Sequence, residues 1–255
     1  INKNLNNIGT SVFGSCIRLA EIINESSVDT KTLLGDKTGA ITDRLLVNKN
    51  GGTSQIEKEN GFYVFEGNNE KILIAPIDKT IENAILPDGV TVIRRNAFSY
   101  CKNLKSVQYP STIKTVEQYA FRDCHKLKEI SADDVAVISS VEYEDSSAFG
   151  SNLDLVIKGE KITELVIPAS VKEIKDYTFR CFSRISSVRF DGAITLGKSC
   201  FSKKTKFVHV NKIEMLSGDI KESELLNRPT TTLLIEEDTS KVYCYCNESR
   251  WGQLS

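Results

Sequence analysis

Cysteine and histidine are the residues of this sequence best suited to nucleophilic or proton-transfer chemistry near neutral pH. The 255 residues contain seven cysteines and two histidines. His125 directly follows Cys124, and a thiol beside a histidine is the pairing that nucleophilic catalysis uses. Side chains of adjacent residues at a turn diverge, however. We therefore expect Cys124 to be buried and His125 to be solvated, and we assign no catalytic residue.

Metal and cofactor sites can be recognised from the spacing of their ligand residues, and the sequence contains few such patterns. Cys244 and Cys246 form a C-x-C pair, but a structural zinc site needs four ligands and no further pair lies nearby. Whether these two cysteines are free or paired stays open. No glycine-rich phosphate loop, paired-carboxylate signature or nucleophile elbow is present. The aromatic residues Phe62, Tyr63 and Phe65 fit core packing better than ligand stacking. We expect no metal and no cofactor.

An internal repeat of 23 residues positions these side chains. The segment from Leu86, LPDGVTVIRRNAFSYCKNLKSVQ, aligns with the segment from Tyr109, YPSTIKTVEQYAFRDCHKLKEIS. Self-similarity at a fixed period indicates a repeat architecture. Seven pairs share the offset: Pro87 and Pro110, Val90 and Ile113, Ile93 and Val116, Phe98 and Phe121, Cys101 and Cys124, Leu104 and Leu127, Val107 and Ile130.

The same template recurs along much of the chain. One further unit contains Pro168, Val171, Ile174, Phe179, Ile185 and Val188, with its cysteine shifted to Cys181. The next unit fits after one deletion, with Ile194, Leu196, Phe201, Phe207 and Val210. The first residues also match, at Leu5, Ile8, Phe13, Cys16, Leu19 and Ile22. The unit around Phe149 is stretched by extra loop residues. Ile1 falls at the position of Leu86, so we expect the chain to begin inside a repeat.

Each unit is interpreted as one turn of a coil. Alternation at Val107 and Tyr109 predicts a short strand with one buried face, and Pro110 ends it. The phenylalanine of each unit points inward as its largest core residue. One unit cannot bury its own apolar face, whereas stacked units form a continuous core and a parallel strand ladder. Neighbouring strands lie about 5 Å apart, a spacing that also permits a Cys101–Cys124 disulfide. Buried thiols at Cys16, Cys101 and Cys124 are the favoured interpretation.

The pattern P-x-x-V-x-x-I-x-x-x-A-F-x-x-C-x-x-L-x-x-I resembles the BspA-type leucine-rich repeat. Residues 86–132 and 165–190 carry it clearly, and residues 1–22 and 191–235 more loosely. The resemblance implies a leucine-rich repeat solenoid, horseshoe-like and mostly β with short helical turns. It also implies a secreted or cell-surface protein that binds proteins or matrix without catalysis. Arg94 stands where the family commonly has glycine.

Four segments follow from the extent of the repeats. Residues 1–23 form a first repeat, 24–80 an insertion, 81–235 the main repeats and 236–255 a C-terminal cap. The insertion contains a hairpin signal, in which Gly61–Phe65 and Ile72–Ala75 flank a turn rich in Gly and Asn. We expect this hairpin to pack on the solenoid. The cap resembles that of the family, with a last strand and then a short helical piece ending near Trp251.

Charge and hydropathy restrict the classes of partner. The 33 basic and 34 acidic residues nearly cancel, and no long like-charge block occurs in the sequence, which argues against nucleic acid. No apolar run approaches the ~18–20 residues of a membrane span. We expect a monomer with a protein or glycan partner, extracellular or at the cell surface by the resemblance. The alternatives are a structural spacer in a larger surface protein and, as a third class, an enzyme.

The strand alternation also predicts which residues face outward on the concave wall of the solenoid. Taking Ala84, Val107, Ile130, Leu165, Val188 and Val210 as inward, the flanking residues form a binding stripe. Its polar and charged members are Asn83, Ser106, Gln108, Glu129, Ser131, Glu164, Ser187, Arg189, His209 and Asn211, and Ile85 and Val166 lie beside them. Arginine is enriched among residues that dominate interface energies. We therefore expect Arg189 and His209 to be the centre of binding.

Overall fold

The structure is a computed structural model that describes residues 1–9, 12–13, 16, 19–28, 46–49, 54–144, 149, 152–218, 223, 225, 231–235, 242–246 and 250–254. Short strands dominate this part of the chain, and helix is confined to α1 (Val135–Ser139) and a 3-10 turn at Ile213–Met215. The strands are β1 (Glu21–Asn24), β2 (Leu46–Lys49), β3 (Ile56–Glu59), β4 (Phe62–Gly67), β5 (Glu70–Pro76), β6 (Asn83–Ile85), β7 (Val92–Ile93), β8 (Ser106–Gln108), β9 (Thr115–Val116), β10 (Glu129–Ala132), β11 (Glu142–Tyr143), β12 (Asp154–Ile157), β13 (Glu160–Lys161), β14 (Glu164–Ile167), β15 (Glu173–Ile174), β16 (Ser187–Phe190), β17 (Ile194–Leu196), β18 (Phe207–Val210), β19 (Leu216–Gly218), β20 (Thr232–Ile235), β21 (Val242–Cys246) and β22 (Arg250–Leu254).

The first strand of each repeat unit stacks in parallel on its neighbours and forms one wall of the molecule. The first front sheet contains β6, β8, β10 and β12, with β13 antiparallel at its edge. The second front sheet contains β14, β16, β18 and β20. Ala84 pairs with Val107 and Val107 with Ile130, which is the 23-residue offset of the sequence repeat. The predicted fold class, a parallel leucine-rich repeat solenoid, is confirmed.

A second strand in each unit forms the opposite wall. β7, β9 and β11 pair in parallel in the first back sheet, and β15, β17 and β19 in the second. β4 and β5 form the predicted hairpin, in which Gly67 pairs with Glu70. β5 then pairs in parallel with β7, so the hairpin extends the first back sheet instead of lying against its face. The division of the chain at residues 23, 80 and 235 stays a prediction.

Phenylalanines from successive units stack on one another inside the solenoid, next to the turn of each unit. The rings of Phe98 and Phe121 stack at 5.0 Å, and those of Phe121 and Phe149 at 4.7 Å. Phe149 is therefore the core residue of the stretched unit, as its position in the repeat predicts. The residue two places before a core phenylalanine has φ between 45° and 61°, a left-handed conformation that aims the ring inward; these residues are Asn96, Tyr119, Tyr177 and Ser199.

Arg94 replaces the usual glycine without disturbing its turn. Its amide donates to the Leu73 carbonyl at 3.0 Å, and its own carbonyl accepts from the Ala97 amide. The buried guanidinium reaches the carbonyl oxygen of Leu19 at 2.9 Å. A long side chain at this position thus ties the N-terminal segment to the first complete unit of the solenoid.

Two strands occupy the region near Trp251 where the sequence predicts a short helical piece, so that prediction is wrong. β21 and β22 pair antiparallel, with Tyr245 opposite Trp251, and β21 pairs with β20 of the second front sheet. The run VYCYC in β21 is rich in residues with high strand propensity. Pairing with β20 also covers an edge that would otherwise expose a row of unpaired backbone groups.

Candidate binding face

The outward residues of the two front sheets form the front face, on which most of the predicted stripe lies. Residues paired across neighbouring strands share a face of the sheet. Asn83 therefore lies beside Ser106, which lies beside Glu129. The second row of the first front sheet contains Ile85, Gln108 and Ser131. The structure brings these predicted residues together on one surface.

The first front sheet presents mainly polar side chains, two of which hydrogen-bond to each other. The Ser106 hydroxyl donates to the Asn83 side-chain oxygen at 2.8 Å. Gln108 is exposed, and Ser106, Glu129 and Ser131 are half-buried. Ile85 is the exception, because 67% of its surface is exposed. This half of the front face offers hydrogen-bonding groups and one apolar side chain.

β12 adds a strand to the front wall that the sequence analysis missed. Its Asp154 pairs with Glu129, yet only 7% of the residue is exposed. Lys161 Nζ and Arg184 Nε bind the two carboxylate oxygens at 2.6 and 2.7 Å. Alternation in Leu153–Ile157 was the available signal. The stretched spacing around Phe149 concealed it.

The second front sheet exposes two apolar side chains and one arginine. Val166 pairs with Arg189 and Arg189 with His209, so these three side chains form one row. The parallel row contains Glu164, Ser187 and Phe207. Arg189 is half-exposed, and its Nε lies 3.0 Å from Asp191 Oδ1. Arg189 and His209, the predicted centre of binding, are thus direct neighbours.

One member of the predicted stripe lies off the strand. With Val210 as the inward residue, the strand alternation predicts His209 and Asn211 as its outward neighbours. Val188 instead pairs with Val208, and both Val208 and Val210 are buried. β18 ends at Val210, so Asn211 lies beyond it. Phe207, with 44% of its surface exposed, takes the position assigned to Asn211.

The structure separates the side chains of Cys124 and His125. Cys124 is buried, and its Sγ donates to the Phe98 carbonyl at 3.0 Å. The His125 side chain is 76% exposed, with Nε2 at 3.9 Å from Asp123 Oδ1. One side chain lies in the core and the other in solvent, as predicted. The two do not form a nucleophile–base pair.

A cysteine at the repeat position is buried only where its unit belongs to the apolar core. Cys101 and Cys124 are buried, as predicted, whereas Cys16 is exposed and that prediction is wrong. In the described part of the chain, the continuous apolar core begins at Phe62 and does not include the first unit. Cys181 is partly buried and packs against this core, and desolvation raises the pKa of its thiol to about 12. Burial also raises the pKa of Tyr143, so its phenol stays neutral.

Thiol reactivity should follow this pattern, because the thiolate is the reactive form. A raised pKa leaves Cys181 protonated at pH 8, whereas Cys16 is accessible to reagent. We expect Cys16→Ser to remove one fast-reacting thiol from an Ellman titration of the folded protein. Cys181→Ser should leave the folded count unchanged and lower the count only after denaturation. A fast thiol lost with Cys181→Ser would contradict the burial of this side chain.

Within the residues that the structure describes, no group of three or more His, Cys, Asp or Glu side chains is placed to hold a metal ion. None of the described helices has the length and apolar content needed to cross a membrane.

The ladder of parallel strands, the 23-residue units and the stacked phenylalanines define a leucine-rich repeat protein. The model of the BspA type leucine-rich repeat region matches residues 77–157 and 154–249, with six copies. The chain belongs to the BspA-type leucine-rich repeat family. A comparison with curated proteins finds no match.

Solved structures with a similar fold include three bacterial proteins. A leucine-rich cell surface protein of Faecalibacterium prausnitzii A2-165 is 14% identical, with a TM-score of 0.45 over 78% of this chain and 61% of that one. The pneumococcal vaccine antigen PcpA is 20% identical, with a TM-score of 0.39 over 66% of this chain and 40% of that one. A leucine-rich repeat protein of T. pallidum is 20% identical, with a TM-score of 0.31 over 64% of this chain and 81% of that one. The chain therefore spans less than two thirds of the first two proteins.

Proposed function

We propose that this chain is a non-catalytic binding module that contacts a protein or glycan through its front face. The observation that carries the proposal is the row of Val166, Arg189 and His209 beside Phe207 on the second front sheet. Stacked repeats create extended surfaces of this kind, on which neighbouring units add contacts to one partner. The module acts outside the cell or at the cell surface. Membership of the BspA-type family supports this location.

The second front sheet is the favoured half of the front face because of its side-chain types. Aromatic residues and arginine are enriched in interface cores, and a few such residues carry most of the binding energy. Phe207 and Val166 are exposed by 44% and 41%, so both have apolar surface to bury. Arg189 lies beside Val166 in the same row and retains an exposed guanidinium next to Asp191. In the first front sheet, by contrast, Ser106 and Asn83 already hydrogen-bond to each other.

The test combines a ligand screen with paired variants. Purified extracellular-matrix proteins and an array of unsulfated glycans are probed with the wild-type chain, and each ligand found is titrated against the variants. We expect Arg189→Ala/His209→Ala to weaken binding about tenfold, or about 1.4 kcal/mol, with no loss of thermal stability. Thr195→Ala/Ser217→Ala is the matched control, because these residues are exposed on the second back sheet.

Two results would count against the proposal. Equal loss of affinity in the front and back pairs would move the site away from the front face. A chain that binds nothing on either panel would favour the structural spacer, in which the repeats set distance only. A screen for turnover of glycans, peptides and esters addresses the enzyme alternative separately.

A further inference from the structure

Basic side chains that are scattered in the sequence come together along one border of the front sheets. Residues 102–105, 125–128, 183–186 and 203–206 each lead from a phenylalanine turn into a front strand. These four segments contain eight Lys or Arg residues and no Asp or Glu, and we call them the basic strip. Its members are Lys102, Lys105, Lys126, Lys128, Arg184, Lys203, Lys204 and Lys206.

Backbone hydrogen bonds stack the segments of the basic strip in two pairs, 102–105 with 125–128 and 183–186 with 203–206. The Lys128 amide donates to the Lys105 carbonyl at 2.9 Å, and the Lys206 amide donates to the Ser186 carbonyl at 2.7 Å. Neighbouring strands are about 4.8 Å apart. The cations therefore lie at close spacing within each pair of segments. Between the two pairs, Asp154 stacks on Lys128 and Thr163 stacks on Ser186.

Acidic neighbours offset only part of this charge. Lys105 pairs with Glu82 at 2.6 Å. Arg184 pairs with Asp154 at 2.7 Å, and that carboxylate is already shared with Lys161. Like charges directly opposite each other on neighbouring strands are destabilising, so stacking basic residues at repeated positions has a cost for folding.

Several members of the strip keep their charge at the surface. Lys126 donates to the neutral side-chain oxygen of Asn103 at 2.9 Å, which leaves its charge in place. Lys128, Lys204 and Lys206 are exposed. A cavity of about 590 Å³ borders the first pair of segments, and its lining includes Tyr119, Arg122, Asp123, His125 and Lys128. The surface thus has two clusters of cations along the solenoid, one of them beside a groove.

We propose that the basic strip binds an extended sulfated glycan that lies along the solenoid axis. A long polyanion with repeated charges can contact both clusters of ammonium groups, whereas a compact anion can contact only one. Proteins that bind single-stranded nucleic acid stack its bases on aromatic side chains. The four segments contain no Phe, Tyr or Trp, which favours the glycan. This inference rests on the extracellular location proposed above but not on the second front sheet.

The experiment measures binding of a heparin oligosaccharide at about 0.15 M salt, the ionic strength of physiological fluid. The strip variant is Lys126→Gln/Lys128→Gln/Lys206→Gln. Its matched control, Lys58→Gln/Lys114→Gln/Lys172→Gln, removes the same charge from exposed residues outside the strip. We expect the strip variant to lose about tenfold in affinity and the control to stay within about twofold. Arg189→Ala/His209→Ala should retain heparin binding, which separates this inference from the front-face proposal.

Four outcomes would overturn the inference. The first is a wild-type chain that fails to bind heparin at this salt concentration. The second is an equal loss in the strip and control variants, which would indicate net charge alone. The third is no loss in either variant. The fourth is tighter binding of single-stranded DNA than of heparin, which would assign the strip to nucleic acid. Thermal unfolding of both variants verifies that each is folded.

Discussion

Replacing Phe121 or Phe179 by alanine is expected to lower the free energy of unfolding by about 3–5 kcal/mol, the usual cost of deleting a buried phenylalanine. Both rings are buried. Phe121 stacks between Phe98 and Phe149, so its loss leaves a cavity that touches two neighbouring units. Phe179 stacks on Phe201 at 5.4 Å in the second half of the solenoid.

Chemical denaturation of each variant measures the effect. Phe207→Ala is the matched control, because the same atoms are removed from a side chain that is 44% exposed. We expect the control to cost much less than the core variants. A stability for Phe121→Ala and Phe179→Ala equal to that of the control would show that these rings do not fill the core, and the repeat alignment would then be wrong.

Gly197→Ala is expected to destabilise the chain by about 1–3 kcal/mol, the range for overpacking a tightly packed site. An added Cβ would lie 2.7 Å from the Asp176 amide nitrogen and from the Lys175 carbonyl carbon. These are backbone atoms of the preceding unit, so they cannot move without shifting a whole turn. The Gly197 amide also donates to the Ile174 carbonyl at 2.8 Å, which holds the two units together.

Thermal unfolding of Gly197→Ala can be compared with that of Gly9→Ala. At Gly9 the nearest atom to an added Cβ is a Val12 methyl carbon at 3.9 Å, an ordinary contact. The control should therefore behave like the wild-type chain. A Gly197 variant with an unchanged melting temperature would contradict the close approach of the two turns.

The repeat made the fold predictable because each unit has the same physical requirement. A repeat template that places Phe98, Phe121 and Phe149 in equivalent positions predicts that their rings contact one another, and neighbouring rings stack at 5.0 and 4.7 Å. Features outside the template were harder to predict. β12 lies in the stretched unit, and the strand pair at the C-terminal end depends on an open edge at β20 that no local sequence reveals.

The candidate surfaces were only partly predictable from the sequence. His209 lies between two buried valines, Val208 and Val210. If Val208 is the inward residue paired with the neighbouring strand, Phe207 lies on the front face with His209. If Val210 is that residue, Asn211 does. Pairing with Val188 resolves that choice in favour of Val208. The basic strip was hidden for a different reason. Its four segments begin 20 or more residues apart in sequence, and only the stacking of units brings them together in pairs.

Photo-cross-linking from position 207 tests most directly whether the front face binds a partner. A p-benzoylphenylalanine in place of Phe207 keeps an aromatic ring at the centre of the second front sheet, and the same residue at Thr195 samples the second back sheet. With a ligand from the matrix-protein or glycan panel, we predict a covalent adduct from position 207 and none from position 195. An adduct from position 195 alone would contradict the proposed binding face.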